Sequence, residues 1–117
     1  MDKFMLLFHS PISQEQDFMA QSPEAIQAEI EKWNKWIGGI AEQGKFVGTE
    51  ALMPTGKLMT KGGQVVTDGP YTEGKEVVGG YTVVSAASIE EAIELAQGCP
   101  IFDTDGTVEV RPVVNFG

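Results

Sequence analysis

Residues 65–81, VVTDGPYTEGKEVVGGY, decide the reading of this chain. Two valine pairs, Val65-Val66 and Val77-Val78, flank the turn-forming Asp68-Gly69-Pro70 and a run holding Tyr71, Glu73, Lys75 and Glu76. β-branched pairs entering and leaving a turn predict two strands with a polar loop clamped between them. A loop of that kind, held by rigid elements, is where a small protein presents polar chemistry. The aspartate can cap its own turn, the glycine accepts unusual φ and the proline fixes the exit.

Toward the C-terminus, Val77–Ser85 predicts the clearest strand, with Gly79-Gly80 inside it marking a bulge or a close backbone approach. Ser88 and Glu91 fit a capping box, and Ile89, Ala92, Ile93 and Ala96 form the inner face of the helix they start. Gly98 ends that helix before Pro100. Val108–Val114 closes the chain as a strand, with Val108 and Val110 on one face and Glu109 and Arg111 on the other.

Toward the N-terminus, Lys57–Thr60 and Gln64–Thr67 flank Lys61-Gly62-Gly63, a hairpin signal. Phe46–Leu52 predicts a strand stopped by Pro54. Before it, Ser22-Pro23-Glu24 starts a helix whose apolar stripe is Ile26, Ile30, Trp33, Ile37 and Ile40 and whose end is Gly44. Gly38-Gly39 within it costs about 1 kcal/mol per glycine relative to alanine, a cost that a close approach of another backbone would explain. The segment from Ser10 to Met19 is expected to be a loop folded over something, and Phe4–His9 a buried first strand.

The order is β-α-β, a hairpin, then β-α-β, within one domain spanning residues 1–117. That is an α+β fold, a ferredoxin-like split βαβ with an inserted β-hairpin. Two helices cover one face of the sheet, so the other face predicts a homodimer.

Composition narrows the function. Seventeen acidic residues against eight basic ones give a net charge of −9, and Arg111 is the sole arginine. Nucleic acid binding needs clustered positive charge, so it is not expected. The single cysteine, Cys99, excludes an internal disulfide and fits a reducing compartment. The apolar run Phe4–Phe8 is too short for a signal peptide or a membrane span, so a cytoplasmic protein without membrane contact is expected. One histidine and one cysteine far apart match no metal-ligand spacing, and no phosphate-binding glycine motif suggests a cofactor.

The central motif resembles the signature of the YCII-related proteins of the DGPF type, named for Asp-Gly-Pro-Phe, with Tyr71 here in the Phe place. The resemblance extends to Phe4-Met5-Leu6-Leu7, to Lys32-Trp33-Asn34-Lys35-Trp36 with Gly44-Lys45-Phe46-Val47-Gly48 after it, to Gly98-Cys99-Pro100-Ile101, and to Val108–Val113. It implies a dimeric α/β-barrel form of the ferredoxin-like fold. Most relatives of this type have no established reaction, and some are encoded or fused with sigma-factor-type regulators. The wider family is thought to include enzymes with a His–Asp pair, among them a dehydrochlorinase. Counting along the resemblance puts Trp33 at that histidine and Cys99 at that aspartate, and neither side chain can do the pair's work.

Among candidate site residues, His9 is the only histidine and sits at a strand end, as a general base at a pocket mouth or as a solvated strand-end side chain. Lys75 between Glu73 and Glu76 is an anion-binding residue or a surface ion pair. Arg111 clamps a carboxylate or pairs with Glu109 on a neighbouring strand or subunit. Trp33 and Trp36 are core aromatics or a pocket wall. Cys99, with no electropositive surround, is not expected to be a reactive thiolate. Two functions remain open. One is a non-enzymatic small-molecule-binding or accessory/regulatory module, with its pocket between the sheet and the Asp68–Glu76 loop. The other is an enzyme of lyase or dehydrohalogenase type using His9 as base with Asp68 or Lys75 nearby.

Overall fold

The computed structural model describes residues 1–69 and 76–117, and gives the backbone alone for Gln16 and Met19. The chain runs β1 (Asp2–Pro11), α1 (Ile12–Met19), α2 (Pro23–Glu42), β2 (Phe46–Ala51), β3 (Gly56–Thr60), β4 (Val65–Gly69), β5 (Glu76–Ala86), α3 (Ile89–Ala96), a 3₁₀ turn (Pro100–Asp103) and β6 (Thr107–Pro112). Four strands form one sheet in the order β2-β5-β1-β6, and β3 pairs only with β4 in a second, two-stranded sheet. β5 lies between β2 and β1 and is antiparallel to both, which is the split βαβ arrangement. The fold is ferredoxin-like α+β, as the element order predicts.

Alternation along β1 and β5 sets the two faces of the sheet. Phe4, Leu6 and Phe8 on β1 and Val84 and Ala86 on β5 are buried beneath the helices. They join Ile40 of α2, Ala92, Leu95 and Ala96 of α3, and Cys99 and Ile101 in one core. Thr82 is wholly buried on the same face, and its hydroxyl is matched by Thr49 Oγ1 at 2.9 Å. The opposite face carries Met5, Leu7, His9, Tyr81 and Val83, all half-buried, and no element of the described chain covers it. Among the described residues no helix is long and apolar enough to cross a membrane.

The helix boundaries follow from their caps. Ser22 Oγ accepts from the Ala25 amide, with Pro23 in the first turn. At the other end Gly44 takes φ 73°, its amide reaches the Ala41 carbonyl, and the Lys45 amide reaches that of Ile40, a Schellman closure. Ser88 Oγ accepts from the Glu91 amide. The reciprocal arm lands one residue earlier than the capping box predicts, because Glu91 Oε1 accepts from the Ala87 amide. That bond, with Lys45 Nζ at 3.3 Å from the same oxygen, holds the Glu91 carboxyl below its ordinary range against the opposing effect of desolvation.

Several expectations are corrected. Ser10–Met19 is not a loop: Pro11 stands at the N-cap with fixed φ, and α1 begins at Ile12 with Glu15 in its first turn. The stripe on α2 is shifted, since Ile30 is exposed while Trp36 packs on the core. Ile93 likewise faces out, and Leu95 takes its place on the inner face of α3. Among the described residues no backbone packs at Gly38 or Gly39, where an added Cβ meets nothing within 4 Å. β6 ends at Pro112, two residues short of Val114, although the Val113 amide still donates to the Lys3 carbonyl at 2.9 Å.

Candidate functional site

The ladder of β1 slips at one point, and the polar residues gather there. Phe8 opposes Gly80 while His9 opposes Val78, so Gly79 is an extra residue in β5 and forms a bulge. Of the glycine pair, only Gly80 is held to glycine by backbone, since the end of the flexible Glu15 side chain beside Gly79 can move aside. A Cβ on Gly80 would stand 2.6 Å from the Glu50 carbonyl oxygen, and one on Gly79 would stand 2.6 Å from a carboxylate oxygen of Glu15. Glu15, carried by α1, fills the space the missing side chain leaves. The hydroxyl of the buried Ser10 donates to the same carboxylate, which ties α1 to the end of β1.

On the other face of the strand, His9 Nε2 lies 2.9 Å from Glu109 Oε1. In register, Leu7 opposes Glu109 and His9 opposes Thr107, so the contact is diagonal across the β1–β6 pair. The second carboxylate oxygen, Glu109 Oε2, is 3.9 Å from Arg111 Nε. Glu109 therefore sits between an imidazole and a guanidinium on the uncovered face of the sheet. A carboxylate only accepts hydrogen bonds, so neutral His9 must carry its proton on Nε2. Nδ1 is left with a free lone pair, and among the described residues it has no partner. Arg111, two-thirds exposed, keeps most of its donors for solvent or a ligand.

The other sequence candidates lie elsewhere. Asp68 is within β4, where its exposed carboxylate meets the Lys57 ammonium across the hairpin and does not reach toward His9. Glu76 opens β5 opposite Pro11 and is exposed. Tyr71, Glu73 and Lys75 lie outside the described residues. Trp33 packs edge-on against Phe8 at 5.0 Å and Trp36 at 5.8 Å between ring centroids, which makes it an aromatic of the core margin. Trp36 Nε1 donates to the Leu95 carbonyl at 2.9 Å and so links α2 to α3. Burial pushes the Cys99 thiol up to about 12, which removes it as a nucleophile near neutrality.

Two residues carry the polar arrangement that sequence reasoning did not place in a site. Glu109 was visible as the polar alternate of β6 and as a partner for Arg111, but its bond to His9 spans 100 residues of chain. Glu15 had no signal beyond its place in a polar segment. Neither of two grooves in the described surface lies at His9. One of about 670 Å³ runs between α2 and α3 past Lys32, Lys45 and Glu91. The other, about 330 Å³ and apolar, lies beside β6 against Ile93 and Phe102.

With this geometry in hand, comparison with known proteins is informative about kinship and silent about chemistry. The family model described as the YCII-related domain matches residues 7–117. An uncharacterized protein of Rhizobium meliloti (strain 1021) is 34% identical over 80 residues, which is 64% of this chain and 64% of that protein. The match thus spans slightly less than two thirds of the relative's length.

Proposed function

We propose that this chain, which belongs to the YCII-related domain family, is a homodimeric small-molecule-binding module whose ligand meets His9, Glu109 and Arg111 on the open face of the sheet. The observation that carries this reading is Glu109 bridging His9 and Arg111 on a face that no described element of the chain covers. The free Nδ1 lone pair accepts a hydrogen bond, and the exposed guanidinium edge binds an anionic group in a planar, two-pronged way. A small carboxylic acid or acid amide offers both partners in one molecule.

The surface area supports a second copy. The chain exposes 7760 Å², against about 6,200 Å² expected of a folded monomer of this mass. Its outline is a slab of 42 × 42 × 19 Å. The excess, about 1,560 Å², is roughly twice the 800 Å² or so that one partner buries in a standard interface. Met5, Leu7 and Val83 on the open face supply the apolar part of such a contact. In the barrel arrangement that this proposal includes, the two sheets face each other and the ligand lies between them.

The positions that the resemblance assigns to a catalytic histidine and aspartate hold Trp33 in the core margin and a buried Cys99, which favours binding over catalysis. One observation favours the enzyme reading: a carboxylate that orients a histidine through Nε2, leaving Nδ1 free, is what a general base requires. In that reading the partner of His9 is Glu109, and Asp68 is not part of the set. A melting-temperature screen over small organic acids tests the binding reading. At least one should raise the melting temperature of the wild type and fail to raise that of Arg111→Gln and His9→Gln. A screen in which nothing shifts, or in which both variants respond as the wild type does, ends it. Turnover of the binding acid that is lost in His9→Gln and Glu109→Gln, with binding retained, would move the conclusion to the enzyme.

A further inference from the structure

The hairpin β3–β4 stands apart from the rest of the molecule. Among the described residues no hydrogen bond or ion pair ties it to the four-stranded sheet, and none of its side chains belongs to the core or packs against it. A two-stranded hairpin by itself is marginal in water. Yet its sequence is not that of a solvated loop. Met59 opposes Val66 and Lys57 opposes Asp68, so these four share one face, and Met59 is 62% and Val66 55% exposed. Leu52 and Met53, in the connection leading to it, are also exposed.

We infer that the β3–β4 hairpin is an arm that docks its Met59–Val66 face on a second copy of this chain. The inference rests on the homodimer reading above and adds to it a contact that the sheet faces do not supply. Charge favours a second copy over solvent. Lys57 and Lys61 against Asp68 give residues 56–69 a net charge of +1, so the remainder of a chain of net charge −9 carries −10. Two such bodies repel each other, and a cationic arm with an apolar face offsets that repulsion where it lands. Lys61 sits exposed in the tip of the arm, where its φ of 52° and those of Gly62 and Gly63 at 67° and 89° make the turn. The excess surface of the single chain includes this arm, and docking it buries Met59 and Val66, which the described residues leave exposed.

The test compares three proteins by sedimentation velocity over a dilution series: wild type, Met59→Glu with Val66→Glu, and Leu7→Glu on the open sheet face. The wild type should be a dimer. The hairpin double variant should dissociate about tenfold or more readily, because two buried apolar side chains become charged ones facing an acidic body. Far-UV circular dichroism should show it still folded. Raising the salt should narrow the difference between the double variant and the wild type. If the wild type is monomeric, the homodimer reading and this inference both fail. If Leu7→Glu dissociates and the hairpin variant keeps the wild-type affinity, the homodimer stands and the arm does not dock on it. A second measurement needs no destabilised variant. Cys99 is buried, so a photo-reactive maleimide on Met59→Cys labels position 59. Irradiation should link it to a mass-tagged second chain. Links confined to its own chain would overturn the inference.

Discussion

Val-Val recurs along this chain, and its fate differs from place to place. In β5 each pair puts one valine in the core, Val77 or Val84, and turns its neighbour, Val78 or Val83, to the open face, whereas in β4 neither Val65 nor Val66 is buried. The local sequences are alike, and each pair is in a strand. What differs is the layer beneath. β5 has α2 and α3 on one face and strands on both edges, while β4 has one partner strand and no helix. β-branched composition is enough to make a strand, and burial is then decided by the helices that the caps at Ser22 and Ser88 place over the sheet.

The largest expected effect lies on the buried side of that comparison. Leu6 is 0% exposed at the centre of β1, and Leu6→Ala should lower the unfolding free energy by about 2–5 kcal/mol. Urea denaturation followed by tryptophan fluorescence reads it, since Trp33 and Trp36 flank the same core. A loss below about 1 kcal/mol would mean that the site collapses freely and that the central strands are no more tightly packed than the hairpin.

Next in size are the glycines. At Gly80 an added Cβ would meet the backbone of Glu50 and Ala51, neither of which can rotate away, so Gly80→Ala should cost about 1–3 kcal/mol. Gly39, in the last turn of α2, has open space around it among the described residues, and Gly39→Ala should raise stability by about 0.5–1 kcal/mol. The opposite signs are the test. The same measurement on both variants shows whether α2 carries its glycines for packing or for some other reason.

How much of this was legible depends on the range of the interaction. The caps at Ser22 and Ser88, the left-handed Gly44 and the bulge at Gly79-Gly80 are local events, and their residues announce them. The strand order follows from the β-α-β pattern, because two crossing helices leave few ways to join four strands. α1 was missed because its segment has no apolar stripe and is held by Glu15 reaching back to Ser10, a contact that exists only once the chain is folded. His9–Glu109 needed both the β1–β6 register and its diagonal reach, neither of which is written in the residues near His9. Asp68, read as part of a polar loop, belongs to a strand because Lys57 opposes it across the hairpin.

Cys99 sharpens the comparison through pH. Its thiol is raised from the ordinary 9.0 to about 12 in the folded chain by burial. Between those values the unfolded chain has released a proton that the folded one keeps. The stabilisation is therefore complete below pH 9 and is lost as pH rises toward 12, by up to about 1.4 kcal/mol per pH unit. Cys99→Ala should flatten that part of the stability–pH curve relative to the wild type. Equal slopes in the two proteins would mean that the thiol is open to water in the native state.

The smallest effect belongs to the hairpin. Lys57 and Asp68 form its one ion pair among the described residues, and their side chains are 67% and 89% exposed. An exposed pair loses to solvent screening most of what its charges gain, so Lys57→Ala should change the stability of the chain by no more than about 1 kcal/mol. Measured beside Leu6→Ala in the same urea titration, it should barely move the midpoint and leave the slope unchanged. The hairpin also contributes no side chain to the core, so its fraying should not propagate to β1 or β5. A loss comparable with that of Leu6→Ala would show that the hairpin folds cooperatively with the four-stranded sheet. The division between a packed body and a free arm would then be wrong.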